Sequence, residues 1–195
     1  MRIIGLTGGI GMGKSTAASA FRRARIPVFD ADAAVHIVQG PGGRALAPIE
    51  AAFPGTVKDG VLDRAALRTA VLGKPEALKR LERIVHPMVR RLERAFLARA
   101  RRAASPAAVL DIPLLLETGG DARVDTVVVT SAPRAVQIHR VAARGRMDRA
   151  QIAAVIARQM PDAEKRRRAD IVVRTGLSRF HALRTLRRFI RTLRP

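Results

Sequence analysis

One stretch near the start constrains this chain more than any other: Ile3-Ile4-Gly5-Leu6-Thr7-Gly8-Gly9-Ile10-Gly11-Met12-Gly13-Lys14-Ser15-Thr16. A β-branched apolar run enters a glycine cluster, which ends on Lys-Ser-Thr at the head of an alanine-rich segment. Gly8 to Ser15 fits the phosphate-binding pattern G-x-x-x-x-G-K-[ST] at every specified position. Glycines let the backbone bring bare N–H groups against phosphate oxygens. A helix starting near Lys14 turns its unpaired amides and positive dipole end toward the same anion. Lys14 can reach β- and γ-phosphates, and the Ser15 hydroxyl can ligate Mg²⁺. The reading is a nucleoside-triphosphate site between a strand and a helix.

With 195 residues the chain supports one domain with small insertions, and an apolar fraction of 48% speaks against disorder. The absence of cysteine removes disulfides and thiolate metal sites. No leader-like apolar segment opens the chain and no stretch approaches a membrane span, so a soluble, cytoplasmic protein is expected. Net charge is +21, carried mostly by arginine. Such a field attracts polyanions. With no Trp or Tyr and six Phe, base stacking along a single strand is poorly supported. Nucleic acid is therefore not expected as a partner.

Taken in order, Arg2 to Thr7 reads as a buried strand and Lys14 to about Arg25 as a helix with an apolar stripe at Ala17, Ala18, Phe21 and Ala24. Ile26 to Phe29 is a second strand, read as ending in two carboxylates, Asp30 and Asp32. Ligands sit at such strand ends in parallel α/β sheets. From residue 33 to about 104 the pattern turns helical, over 33–39, 44–53, 63–72 and 75–103, with breaks at Gly40-Pro41-Gly42-Gly43 and Pro54-Gly55, an N-cap at Asp63, a helix start at Pro75 and a kink or break at His86-Pro87. That is far more than a minimal crossover, and predicts a helical insertion that clasps an acceptor. Ala107 to Ile112 is a buried strand bearing Asp111, where phosphate-loop enzymes place an acidic residue near Mg²⁺. Val124 to Thr130 and Ile171 to Val173 complete a parallel, doubly wound sheet, and Asp148-x-x-Gln151 opens a helix as a capping box.

Arg140, Arg144, Arg146, Arg149 and Arg158 lie on two helical segments around Gly145. An arginine-bearing lid over residues 141–165 would neutralise a transferred phosphoryl group and exclude water. The adjoining Lys165-Arg166-Arg167-Arg168 run reads as a solvated, phosphate-attracting face.

Several separated stretches together resemble the dephospho-coenzyme A kinase family: the loop through Thr16, Asp30-Ala31-Asp32, His86-Pro87, Asp111-Ile112-Pro113-Leu114-Leu115-x-Glu117, Arg140, Gln159 and Lys165-x3-Ala169-Asp170. The resemblance implies a phosphate-loop kinase fold, a three-layer α/β/α arrangement with a helical substrate region and a lid. It implies phosphorylation of the ribose 3′-hydroxyl of dephospho-CoA with ATP and Mg²⁺, in a monomer or small homo-oligomer. By position, Asp32 matches the family's proposed general base and Arg140 its phosphate-binding arginine. Gly11, Met12, Gly13, Lys14, Ser15 and Thr16 match the ATP loop; Asp32, His86, Leu114 and Leu115 match the acceptor region; Ser15 and Asp111 match the metal site. Asp30 competes with Asp32 for the base and could instead cap the next helix. Met12 replaces the family's usual Ser. Arg174 replaces its usual Asn near the adenine, where a guanidinium plane can stack on a base. Two other readings use the same loop: a kinase for a nucleoside monophosphate, and a non-catalytic, nucleic-acid-associated NTP module.

Overall fold

The fold is described from a computed structural model, over residues 1–145 and 147–193. Five strands, β1 (Arg2–Thr7), β2 (Val28–Asp30), β5 (Ala107–Asp111), β6 (Thr126–Ser131) and β7 (Ile171–Arg174), form one sheet in the order β2-β5-β1-β6-β7. The β1–β5, β1–β6 and β6–β7 pairs are parallel, with Ile4 opposite Val109 on one side and Thr126 on the other. Strands β5 and β6 are buried at every position, as strands covered on both faces require. Order reverses at β1, so the loop leaving it opens into the crevice where such sheets bind ligands.

Two compact units divide the chain: residues 1–29 with 99–195, and residues 30–98. In the first, α1 (Lys14–Arg23) and α9 (Arg179–Arg191) share a core with β1 and β5. Phe21 and Phe189 meet there edge to face with centroids 6.3 Å apart. Helices α6 (Arg134–Ala142), α7 (Arg149–Ala157) and α8 (Asp162–Arg167) fill the span between β6 and β7. The expected capping box is present: Asp148 accepts from the Gln151 amide, and the Gln151 side chain accepts from Asp148 N–H.

The second unit holds α2 (Ala31–Val38), α3 (Leu46–Ala52), α4 (Arg64–Val71) and most of α5 (Pro75–Arg102) around a core that includes Val38, Leu46, Ile49, Phe53, Leu67 and Val85. Asp63 caps α4 by accepting from Ala65 and Ala66, and Pro75 begins α5, as expected. One expectation fails here. The unit is not all helical: β3 (Val57–Lys58) and β4 (Val61–Leu62) form an antiparallel hairpin. Its turn residues Asp59 and Gly60 both have positive φ, 51° and 73°, the conformation that Asp-Gly favours. Of the kink or break expected at His86-Pro87, the break does not occur, since α5 passes through Pro87 as one helix. Proline removes one backbone donor there, and the apolar stripe around Val85, including Leu81, Ile84 and Met88, keeps the helix anchored.

Candidate active site

The phosphate loop is shaped by glycine where nothing larger fits. Gly11 and Gly13 have φ of 73° and 81°, and Gly13 is the left-handed residue that turns into α1. A Cβ on Gly11 would stand 2.8 Å from the Gln137 carbonyl oxygen and from Val141 Cγ2, and one on Gly8 would strike the Thr130 side chain. Lys14 and Ser15 follow as the first residues of α1, with Ser15 exposed. No acidic residue lies in that first turn, so its amides and dipole are available to an anion.

Asp111, at the end of β5, is 4% exposed, and Lys14 Nζ pairs with its Oδ1. The two residues assigned to the phosphates and the metal thus meet at one point, at the ends of adjacent elements. Thr7 Oγ1, at the end of β1, donates to the Pro113 carbonyl (2.9 Å), which ties the chain after Asp111 to the loop's entry.

Arg140 projects from α6 onto Thr175. Its guanidinium donates to Thr175 Oγ1 (3.0 Å) and to the Thr175 carbonyl (2.7 Å), and Thr175 Oγ1 donates to the Met12 carbonyl (2.9 Å). Arg140 therefore reaches the loop through one threonine. Met12 is itself buried, and its sulfur accepts from Ala132 N–H at 3.0 Å, a role that accounts for a thioether at this position. Arg174, the last residue of β7, is exposed beside Thr175.

In the second unit Asp30 and Asp32 separate in role. Asp30 is the N-cap of α2, accepting from Ala33 N–H at 3.0 Å, whereas Asp32 lies exposed in the first turn of the helix. Asp32 is thus a helix residue and not a strand end. His86 is exposed on α5, in an open groove of about 840 Å³ that Lys79, Arg83, Arg90 and Arg94 also line. Leu114 is 44% exposed, but Leu115 is 0% exposed and packs with Leu116, Val127 and Val129. Direct contact between Leu115 and an acceptor is thereby corrected to a core role.

Arg144, Arg149 and Arg158 are exposed around α7, and Arg146 lies outside the described residues. The basic run at 165–168 is not one solvated face. Lys165 is 1% exposed and paired with Glu117 at 2.6 Å, and the same Glu117 oxygen accepts from Met160 N–H at 3.1 Å. Arg166 pairs with Asp162 (3.2 Å) and Arg168 with Asp121 (2.6 Å). Residues that pattern reading left without a role now have one. Gln137 and Gln159 both bond to Ile10 of the loop, and Thr175 relays Arg140. For Gln137 the only advance signal was a polar side chain on a helix face, and for Gln159 its place in the family resemblance; Thr175, after the last strand, had none.

A glycine-shaped phosphate loop on the central strand of a parallel sheet, with its lysine on the neighbouring strand's aspartate, defines a phosphate-loop nucleoside-triphosphate fold of the kinase type. Residues 2–178 match the family model described as Dephospho-CoA kinase. The chain is 54% identical over 198 residues to a dephospho-CoA kinase of Gluconobacter oxydans (strain 621H), covering 100% of this chain and 98% of the relative. It is 58% identical over 166 residues to one of Paramagnetospirillum magneticum, covering 85% and 78%. A crystal structure from Thermus thermophilus superposes with a TM-score of 0.86 at 38% identity, over 100% of this chain and 98% of that one. The dephospho-CoA kinase of Campylobacter jejuni shares the fold, with a TM-score of 0.64 at 21% identity over 98% and 97%. The chain belongs to the dephospho-CoA kinase family.

Proposed function

We propose that this chain transfers the γ-phosphoryl group of ATP to the ribose 3′-hydroxyl of dephospho-CoA, the closing step of coenzyme A synthesis. The observation that carries the reading is the Lys14–Asp111 pair at the mouth of a complete phosphate loop, in a chain of this family. The loop amides and Lys14 bind and orient the triphosphate. Asp32 accepts the 3′-hydroxyl proton as the new O–P bond forms and the bond between Pγ and its bridging oxygen breaks, releasing ADP. Arg140, and the arginines of a lid at 141–165, neutralise charge on the transferred group. Arg174 lies against the adenine, and the region 33–104, with His86 and Leu114, takes the acceptor.

Among the described residues no group of three or more His, Cys, Asp and Glu could hold a metal ion. Magnesium on a nucleotide needs only one or two side-chain oxygens besides phosphate, and the Ser15 hydroxyl with the Asp111 carboxylate is such a donor set. Mg²⁺ held there would offset the negative charge of the β- and γ-phosphate oxygens. Among the described residues no helix is long and apolar enough to cross a membrane. The protein acts in the cytoplasm as a monomer or small homo-oligomer, with ATP and dephospho-CoA as its ligands and no nucleic-acid partner.

The test is ATP consumption with dephospho-CoA as acceptor, with product mass recorded beside nucleoside monophosphates and an acceptor-free control. A product of coenzyme A mass formed only with ATP, Mg²⁺ and dephospho-CoA is expected. Folded, ATP-binding protein that transfers nothing to dephospho-CoA would overturn the assignment.

A further inference from the structure

Ile10 sits in the middle of the phosphate loop, at an unspecified position of the pattern, and two glutamines grip its backbone, one at the N–H and one at the carbonyl. Its N–H donates to Gln159 Oε1 at 3.0 Å, and its carbonyl accepts from Gln137 Nε2 at 2.9 Å. Gln137 is 4% exposed on α6, and Gln159 lies just beyond α7. The orientation of each amide is fixed by its partner, because a backbone N–H can only donate and a carbonyl only accept. Both amides lie over Gly9: a Cβ there would stand 3.1 Å from Gln159 Oε1 and 3.2 Å from Gln137 Nε2. The open space that glycine leaves at position 9 is thus filled by the clamp.

The supports of the clamp are themselves tied down. Met160, next to Gln159, donates to Glu117, which the buried Lys165 also holds. Asp162 accepts from Ser131 Oγ at 2.8 Å, at the end of β6. These bonds tie down the C-terminal end of the 141–165 segment, from which Gln159 reaches the Ile10 backbone.

We propose that Gln137 and Gln159 are positioning residues for the nucleotide. They hold the Ile10 backbone so that the loop's remaining amides converge on the triphosphate, and they take no part in acceptor binding. This rests on the kinase reading above. A loop that must be ordered by its ligand binds more weakly, because ordering costs free energy at the moment of binding.

The test compares Gln137→Glu with Gln159→Glu. Both add the same charge over Gly9, so that charge cancels in the comparison. Glutamate at 159 still accepts the Ile10 N–H, whereas glutamate at 137 loses the donor and sets a carboxylate against the Ile10 carbonyl. ATP affinity, measured by direct titration without acceptor, is expected to be about tenfold weaker for Gln137→Glu than for Gln159→Glu, the usual scale for a lost buried hydrogen bond. KM for dephospho-CoA is expected to be the same in both. Gln137→Leu and Gln159→Leu should each raise KM for ATP while sparing KM for the acceptor. Equal or reversed ATP affinities in the glutamate pair would overturn the proposal. So would leucine variants whose thermal midpoint falls while nucleotide affinity holds. Wild-type protein that binds ATP but phosphorylates nothing would instead count against the kinase reading.

Discussion

Lys14 Nζ rests on Asp111 Oδ1, joining the head of α1 to the end of β5, with the lysine side chain 21% exposed and the aspartate 6%. A cation is thereby held at the place where a triphosphate is read to lie. Its reach is short and its geometry is that of a point charge. Lys14→Ala is expected to lower kcat/KM for ATP by about 10²–10³, the range for removing one preorganised donor to a transferring group. Lys14→Arg should not restore it, because a planar fork cannot replace a compact ammonium at one carboxylate oxygen. Steady-state kinetics with ATP varied would check both, and an arginine variant near wild type would refute the point-charge role.

The two neighbouring carboxylates of α2 can be told apart by the same reasoning. Asp30 is engaged as a cap, while Asp32 is exposed one residue into the helix. Asparagine caps a helix about as well as aspartate, so Asp30→Asn should be nearly silent, whereas Asp30→Ala should cost about 0.5–2 kcal/mol of stability. Asp32→Asn should leave stability and KM for ATP in place and lower kcat by about 10²–10⁴, the usual contribution of a general base. Full turnover in purified Asp32→Asn would remove that residue from the chemistry. Loss of turnover in Asp30→Asn alone would transfer the role to its neighbour.

These assignments show where sequence was enough and where it was not. The loop, Asp111 and the caps at Asp63 and Asp148 were legible because each depends on residues adjacent in the chain. The Val57–Leu62 hairpin is not legible as strands because two-residue strands show no alternation, although Asp59-Gly60 is an available turn signal. Lys165 lies in a basic run, and nothing local reveals that its partner Glu117 is far away in sequence. Leu114 and Leu115 are adjacent and apolar, and only tertiary packing sends one to the core and the other to the surface. The Ile10 clamp depends on residues more than a hundred positions from the loop.

The Glu117–Lys165 pair makes a prediction about stability. Lys165 is 1% exposed, so replacing it with methionine would leave Glu117 partly buried opposite an apolar chain. Breaking a buried pair from one side costs about 3–5 kcal/mol. In a chain of this length each kcal/mol is about 2–4 °C in Tm. Lys165→Met should therefore melt markedly lower, and Lys165→Met with Glu117→Met should recover most of the loss, since an apolar pair of similar volume is often neutral. Calorimetry without nucleotide would decide it. A double variant no better than the single would mean that the Glu117 bond to Met160 N–H, and not the ion pair, holds this junction.

The helical unit is expected to be sensitive to acid through two carboxylates that fasten its hairpin. Backbone donation from Gly55, then Val57, holds Glu50 below its ordinary value of 4.5. Backbone donation from Ala66, with Lys58 nearby, holds Asp63 below 3.8. A carboxyl whose pKa is lowered by folding contributes stability that is complete above its unfolded value and is lost as pH falls through the folded one. Between neutrality and about pH 5 these groups should therefore make no difference to how stability varies with pH. Below their ordinary values, the wild-type unit should loosen as pH falls. Glu50→Gln should start less stable at pH 7 and lose less on acidification, because glutamine cannot be protonated. Amide hydrogen exchange across residues 50–66, followed at pH 7 and near pH 4 with the intrinsic rates corrected, would measure it. Parallel acid profiles for wild type and Glu50→Gln would show that Glu50 does not fasten the hairpin through its charge.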